Sequence, residues 1–172
     1  MINKPLACQQ HDHKLCIDAA LTAAQTLCSD AGVRLTDQRK KVLELIWQSH
    51  KPLGAYTLMH MLEQSTAKKI APPTVYRALD FLLEQQLIHR INSLNAYIGC
   101  PTPGTQHTSH FLICRTCGIA VETNMQKITN DLVFVAAQAG FSCESLSVEI
   151  AGCCADCQQQ HPQQFQNQDS AS

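Results

Sequence analysis

Four cysteines of this 172-residue chain fall as two pairs with two residues between them, Cys114-Arg115-Thr116-Cys117 and Cys154-Ala155-Asp156-Cys157. That spacer lets both thiolates reach one ion from a tight turn. Two such turns complete a closed tetrahedral shell of four sulfurs, the pattern of structural zinc. No coordination position would remain open, so the ion would not be catalytic. The stretch between the pairs, Gly118 to Cys153, is longer than in common zinc ribbons and must hold folded structure of its own. The competing chemistry is thiol–disulfide exchange. It favours a pair at a strand-to-helix junction, whereas both pairs here are expected at strand ends. Cys153 abuts Cys154, but only Cys154 completes the two-residue spacing. Cys143 reads as a small buried hydrophobe, and Cys16 and Cys28 as core positions of a first helix, since free cysteine packs well inside.

Length and charge bound the rest. The chain suffices for one domain, or for two small ones that gain from a metal staple. No apolar run is long enough to span a bilayer. The polar start, Met1 to Lys14, lacks the order of a signal peptide. The expectation is a cytoplasmic protein, and ten cysteines in a reducing compartment favour metal over disulfides. The net charge of -1 hides an asymmetry: residues 1–100 carry +3 and residues 101–172 carry -4. That basic excess is by itself weak support for a nucleic-acid partner.

The elements that must position these groups follow from periodicity. A helix is predicted over about 15–30 from Ile17, Leu21, Ala24 and Cys28, with Gly32 as its C-cap. Thr36 caps a second helix that faces Val42, Leu45 and Ile46 inward. Lys51-Pro52-Leu53-Gly54 breaks the pattern, and a short third helix follows at about 55–64. Pro72-Pro73-Thr74 opens a fourth, because proline suits a first helical turn. Its stripe is Val75, Ala78, Leu79, Leu82 and Leu83. Residues 87–91 and 96–100 then read as a hairpin. Helices followed by a hairpin make the winged-helix order, in which the helix before the hairpin lies in a DNA major groove. Pro101 to Thr108 is the break between domains. Strands at 110–113 and 118–122 flank the first cysteine pair. A helix marked by Ile128, Leu132, Val135, Ala136 and Ala139 stops at Gly140. Leu146, Val148 and Ile150 mark a third strand leading to the second pair. The Gln-rich tail from Gln158 has little to bury and reads as disordered. The predicted fold class is α+β: flexible residues 1–14, a winged-helix DNA-binding domain at 15–100, a hinge at 101–109, an α/β domain at 110–157 stapled by zinc, and the tail at 158–172.

At this point the sequence resembles a known family. Arg34-Leu35-Thr36-x-Gln38-Arg39, the block Pro72-Pro73-Thr74-Val75-Tyr76-Arg77-Ala78-Leu79-Asp80-Phe81-Leu82, and both cysteine pairs in order are similar to the ferric uptake regulator superfamily. The likeness covers about residues 15–157. His89, Cys100, His107-Thr108-Ser109 and Glu122 point to its zinc-sensing branch. Iron-sensing members usually carry His-His-x-His before the first pair, and Gln106-His107-Thr108-Ser109-His110 departs from that run.

The resemblance implies a homodimeric, metal-dependent repressor that reads AT-rich inverted repeats in double-stranded DNA, with the α/β domain at 110–157 as its dimerisation domain. It also implies a second, regulatory zinc site at His89, Cys100, His107 and Glu122, with His110 in reserve, and so two zinc ions per subunit. Thiolate plus imidazole suits zinc better than iron(II). Singly, each of these residues reads more readily as a core or loop group, and only jointly do they favour a metal site. Tyr76 and Arg77 lie on the polar side of the fourth helix, where an arginine can bind guanine O6 and N7. Thr74 at the helix N-terminus suits a phosphate. Tyr56 is a second contact candidate, and Arg34, Arg39 and Lys40 are expected at backbone phosphates. The bland reading of Arg77 is an ion pair with Asp80 or Asp37. No membrane or small organic substrate is expected. Rival expectations are an iron(II) or peroxide sensor of the same superfamily, a dithiol oxidoreductase, and a zinc-stapled module that binds only protein.

Overall fold

The computed structural model describes residues 13–105 and 107–160. The expectations for the flexible start, for Cys8 and for the tail beyond residue 160 lie outside the described residues. Contacts divide the chain into two compact units, with the division between His107 and Thr108.

In the first unit, α1 (His13–Asp30), α2 (Asp37–Trp47), α3 (Ala55–Thr66) and α4 (Pro72–Glu84) precede a hairpin of β2 (Ile88–Ile91) and β3 (Ala96–Gly99). Thr36 caps α2 by accepting from Arg39 N at 3.5 Å. Prolines fill the first positions of α4, where their missing N–H groups cost no helical bond. The α4 stripe Val75, Ala78, Leu79, Phe81 and Leu82 is buried against Val42, Leu45 and Ile46 of α2 and Leu58 and Leu62 of α3. Phe81 joins this stripe where the sequence favoured Leu83, which is only half-buried. The segment read as a pattern breaker also supplies β1 (Leu53–Gly54), which pairs with Tyr97 and Ala96 of β3. Two residues are too few to leave a periodic signal. The resulting sheet has the order β1-β3-β2, so β3 is central.

The second unit is built on β4 (His110–Cys114), β5 (Ala120–Thr123) and β6 (Val148–Gly152), ordered β5-β4-β6. β5 pairs antiparallel with β4, whereas β6 pairs parallel to it, from His110↔Val148 to Cys114↔Gly152. α5 (Gln126–Gln138) carries the chain from one sheet edge to the other. The third strand starts two residues later than its alternation suggested, because only from Val148 does the chain reach partners on β4. α6 (Ala155–Gln160) follows at once, so the ordered chain continues past Gln158.

One burial expectation fails in this unit. Cys143 is exposed, because its loop, from Phe141 to Ser147, lies outside the sheet. Ile128, Leu132 and Val135 give α5 its helical spacing, yet they are exposed, as are Phe134 (61%) and Phe141 (75%). Thr129 is the buried residue of α5. No helix among the described residues is long and apolar enough to cross a membrane.

Candidate metal centres and nucleic-acid interface

The parallel pairing of β4 with β6 explains how two distant cysteine pairs meet. Both strands end at the same side of the sheet, so Cys114 closes one and Cys154 lies two residues beyond the other. The first pair sits in a tight turn: Gly118 N donates to Cys114 O at 2.9 Å, and Gly118 takes φ +76°, which glycine adopts without steric cost. Arg115 N donates to Gly152 O at 2.8 Å and ties the two ends together. The donor atoms of Cys114, Cys117, Cys154 and Cys157 lie within 4.8 Å of one another. Zn–S bonds of about 2.3 Å hold tetrahedral sulfurs about 3.8 Å apart. Cys117 Sγ and Cys154 Sγ are 3.8 Å apart, so the donor set fits zinc.

The second pair bridges β6 and α6, a strand-to-helix junction rather than a strand end. Position alone therefore does not argue against redox chemistry, and the convergence of four sulfurs takes over that argument. Three of the thiols are shifted from the ordinary range. Burial raises the Cys114 thiol, but backbone N–H groups of Cys117, Cys154 and Thr116 outweigh burial and bring it down to about 5. Burial pushes Cys117 up. Cys157 is held higher still, first by its hydrogen bond with Cys154 and then by burial. The shell thus keeps the Cys114 thiolate readily, and Cys117 and Cys157 resist ionising until a cation neutralises them. Cys153 stands apart, its Sγ 3.6 Å from Thr116 Oγ1.

Three further donors meet inside the first unit. His89 pairs with Ile98 across the hairpin, and Cys100 is the second residue after Ile98, so His89 and Cys100 share a face of the sheet. Cys100 N donates to Leu87 O at 3.0 Å and extends the ladder by one step. The loop after β3 then brings His107 back. His107 Nε2 lies 3.3 Å from His89 Nε2 and 3.6 Å from Cys100 Sγ. Zinc–nitrogen bonds of about 2.0–2.1 Å put tetrahedral nitrogens about 3.3 Å apart. Both separations fit one ion. His107 Nδ1 donates to Thr105 O at 2.7 Å, which leaves a lone pair on Nε2 facing the other two donors. Thr105 was invisible as a tautomer-setting group, because a backbone carbonyl carries no sequence signal. Glu122 lies half-buried on β5 of the other unit, opposite Phe111. His110, the reserve ligand, belongs to neither group of donors: it is buried on β4, and its Nε2 shares a 2.7 Å hydrogen bond with Thr129 Oγ1 of α5.

The DNA-contact candidates other than Tyr56 lie at or near the N-termini of α2 and α4. A cleft of about 190 Å³ is lined by Thr36, Gln38, Arg39, Thr74, Arg77 and Ala78. Arg77 is exposed and, among the described residues, forms no ion pair with Asp80 or Asp37. Tyr76 is 40% exposed beside it, and Tyr56 at the start of α3 is 64% exposed. Arg39 is committed within the fold: its Nη1 donates to Arg34 O at 2.6 Å, and its guanidinium carbon lies 3.6 Å from the centre of the Phe81 ring. It also lines the cleft. Arg34 is exposed and Lys40 half-buried. Gln38 was given no role by the sequence, although it sits inside the Arg34–Arg39 motif. Its Nε2 is buried without a hydrogen-bond partner among the described residues.

Comparison with known proteins fits this geometry. Residues 30–151 match the ferric uptake regulator family. The chain is 37% identical over 159 residues to the zinc uptake regulation protein of Escherichia coli (strain K12), covering 87% of this chain and 90% of that one. It is 32% identical over 132 residues to the zinc uptake regulation protein of Mycobacterium tuberculosis (strain H37Rv), covering 75% and 98%. Among solved structures, a zinc uptake regulator complexed with zinc and DNA superimposes with a TM-score of 0.80 at 35% identity, covering 85% of this chain and 97% of that one. Holo XcZur gives 0.74 at 38% identity, covering 81% and 97%.

Proposed function

From the premise that the chain belongs to the ferric uptake regulator family, we propose that it is a zinc-responsive transcriptional repressor that, with zinc bound, occupies AT-rich inverted repeats at zinc-uptake genes. The supporting observation is the meeting of His89, Cys100 and His107 at separations that fit one tetrahedral zinc, in the unit that carries the helices for DNA. Relatives named as zinc uptake regulation proteins, one of them solved with zinc and DNA, support the same reading. The protein acts as a homodimer in the cytoplasm and as a binding protein rather than an enzyme.

Each subunit takes two zinc ions. Cys114, Cys117, Cys154 and Cys157 hold the first, which staples the second unit. His89, Cys100 and His107 hold the second, and Glu122 is the fourth ligand. One thiolate and one carboxylate balance the charge of Zn²⁺, and the mixed set holds it less permanently than four thiolates do. Binding of this zinc selects a dimer whose two α4 helices fit successive major grooves, about 34–36 Å apart. The exposed apolar side of α5 is the surface the second subunit covers.

On DNA, α4 enters the groove with Arg77 at a guanine edge, Tyr76 beside it and Thr74 at a phosphate. Tyr56 makes a second contact from α3. Arg34 and Lys40 meet phosphates, and Arg39 holds the α2 N-terminus in place for them. Arg77→Ala should weaken specific binding by about 1–3 kcal/mol and relax the preferred base at one position. A shift assay on randomised half-sites measures both, and unchanged base preference would remove Arg77 from the reading role.

A gel-shift titration on an AT-rich palindrome tests the function itself. Buffered free zinc should produce a dimer–DNA complex, and iron(II) at matched free concentration should not. Equal response to iron(II) would move the protein to the iron-sensing reading. A complex that ignores both metals would leave only a DNA-binding module.

A further inference from the structure

The strand that carries Cys100 is backed from behind. β3 alternates its faces, so Ile98 and Cys100 point to the metal side with His89, while Gly99 points the other way with its partner Ile88, which is buried in the core. On that side lies Trp47, the chain's one tryptophan and the last residue of α2. A Cβ at residue 99 would stand 2.5 Å from Trp47 Nε1 and 2.7 Å from its Cζ2. The indole therefore occupies the space a side chain at 99 would need. Trp47 Nε1 is buried with no hydrogen-bond partner among the described residues, so packing alone orients the ring.

The same arrangement recurs on the far side of Cys100. Gly104 takes φ +78°, and a Cβ there would stand 2.6 Å from Leu27 Cδ2 of α1. Two helices thus press on the ligand segment, one just before Cys100 and one between Cys100 and His107. The Trp47 contact is the less forgiving, since a ring wedged by the core cannot swing aside as a leucine methyl can.

We infer that Trp47 is a positioning residue for the regulatory zinc: by filling the space behind Gly99 it sets where Cys100 stands relative to His89 and His107. α2 then joins the two functions physically. Its first turn lines the cleft with Thr74 and Arg77, and its last residue braces the ligand strand. A packed helix is a stiff connection, so a shift of Cys100 on metal binding reaches the DNA-facing end of α2 without passing through the second unit.

This inference rests on the reading of His89, Cys100 and His107 as a zinc site, and the experiment separates the two. Zinc is titrated into the full chain against a chelator while Trp47 emission is followed. In the wild-type protein the first, tighter equivalent should leave the emission unchanged, and the second should shift it. No second equivalent in wild type overturns the zinc-site reading itself. Gly99→Ala should weaken the second equivalent by about ten- to a hundredfold, the range for groups that orient metal ligands, and leave the first unchanged. Trp47→Ala combined with Gly99→Ala should recover most of that loss, because the new methyl then has room. Wild-type affinity in Gly99→Ala, or no recovery in the double variant, overturns the positioning role. Should Gly99→Ala lose helical signal or the first zinc, Trp47→Ala alone decides. It should weaken the second equivalent several-fold, on the scale of outer-shell effects, and an unchanged affinity overturns the proposal.

Discussion

His89→Ala combined with Cys100→Ser should leave a folded protein that retains one zinc per subunit and binds its operator about a hundredfold more weakly in saturating zinc. Neither change opens a large cavity. Cys100 is buried, but serine nearly conserves its volume, and His89 is only half-buried. The loss comes from the coupling. A ligand shifts a conformational equilibrium only by its difference in affinity for the two states. Removing two of the donors that meet at His107 removes that difference, and the variant should bind DNA as weakly with zinc as wild type does without it. Metal analysis of the purified variant and an operator shift assay over a zinc series measure this together. A variant that binds with or without zinc as wild type does with it would falsify the proposed switch.

The second large effect is expected at the other metal centre. Cys114→Ser should unfold the second unit and abolish dimerisation, because Cys114 accepts from Cys154 N at 3.3 Å and ends the central strand of its sheet. Apparent zinc-binding free energies of small structural sites are about 10–16 kcal/mol near neutral pH, comparable to the stability of a whole domain. The sheet has three strands, and of α5 only Thr129 is buried. Little else is available to offset the loss. Acid should act in the same direction on the wild-type protein. Cys114 ionises near 5, whereas Cys117 and Cys157 sit above the ordinary thiol range, so zinc must displace protons from them. Proton release on binding means affinity falls as pH falls, most steeply once Cys114 also takes up its proton near pH 5. Ultracentrifugation with zinc analysis between pH 8 and pH 5 (roughly the window set by those shifts) should show zinc loss and dimer loss together. A dimer that survives without its zinc would show that α5 and the sheet suffice.

The two cysteine pairs and the α4 stripe were legible because local spacing carries them. Two residues between cysteines, or an apolar residue every third or fourth position, identifies its geometry without reference to distant chain. The parallel placement of β6 was not legible. Its partner on β4 is nearly forty residues away, and alternation from Leu146 to Ile150 fits either direction and several starting points. Cys143 was misread for a related reason: a cysteine beside a strand is buried only if the strand begins there, and it begins at Val148. At the mixed donor cluster, the sequence supplied the residue types, while the resemblance supplied the grouping. The supports are tertiary and left no trace in spacing. Thr105 contributes a carbonyl, Arg39 is drawn inward by Phe81, and Gly99 shows why it must be glycine only once Trp47 is seen behind it.

The uncovered side of α5 has a thermodynamic consequence. Phe134 and Val135 on α5, and Phe141 just beyond it, leave apolar surface in water when a subunit is alone. Self-association that covers them ties folding to mass action, so each tenfold dilution removes about 1.4 kcal/mol of stability per dimer. Protein concentration is then a second input to the response, and a zinc titration run on dilute protein measures dissociation as well as metal binding.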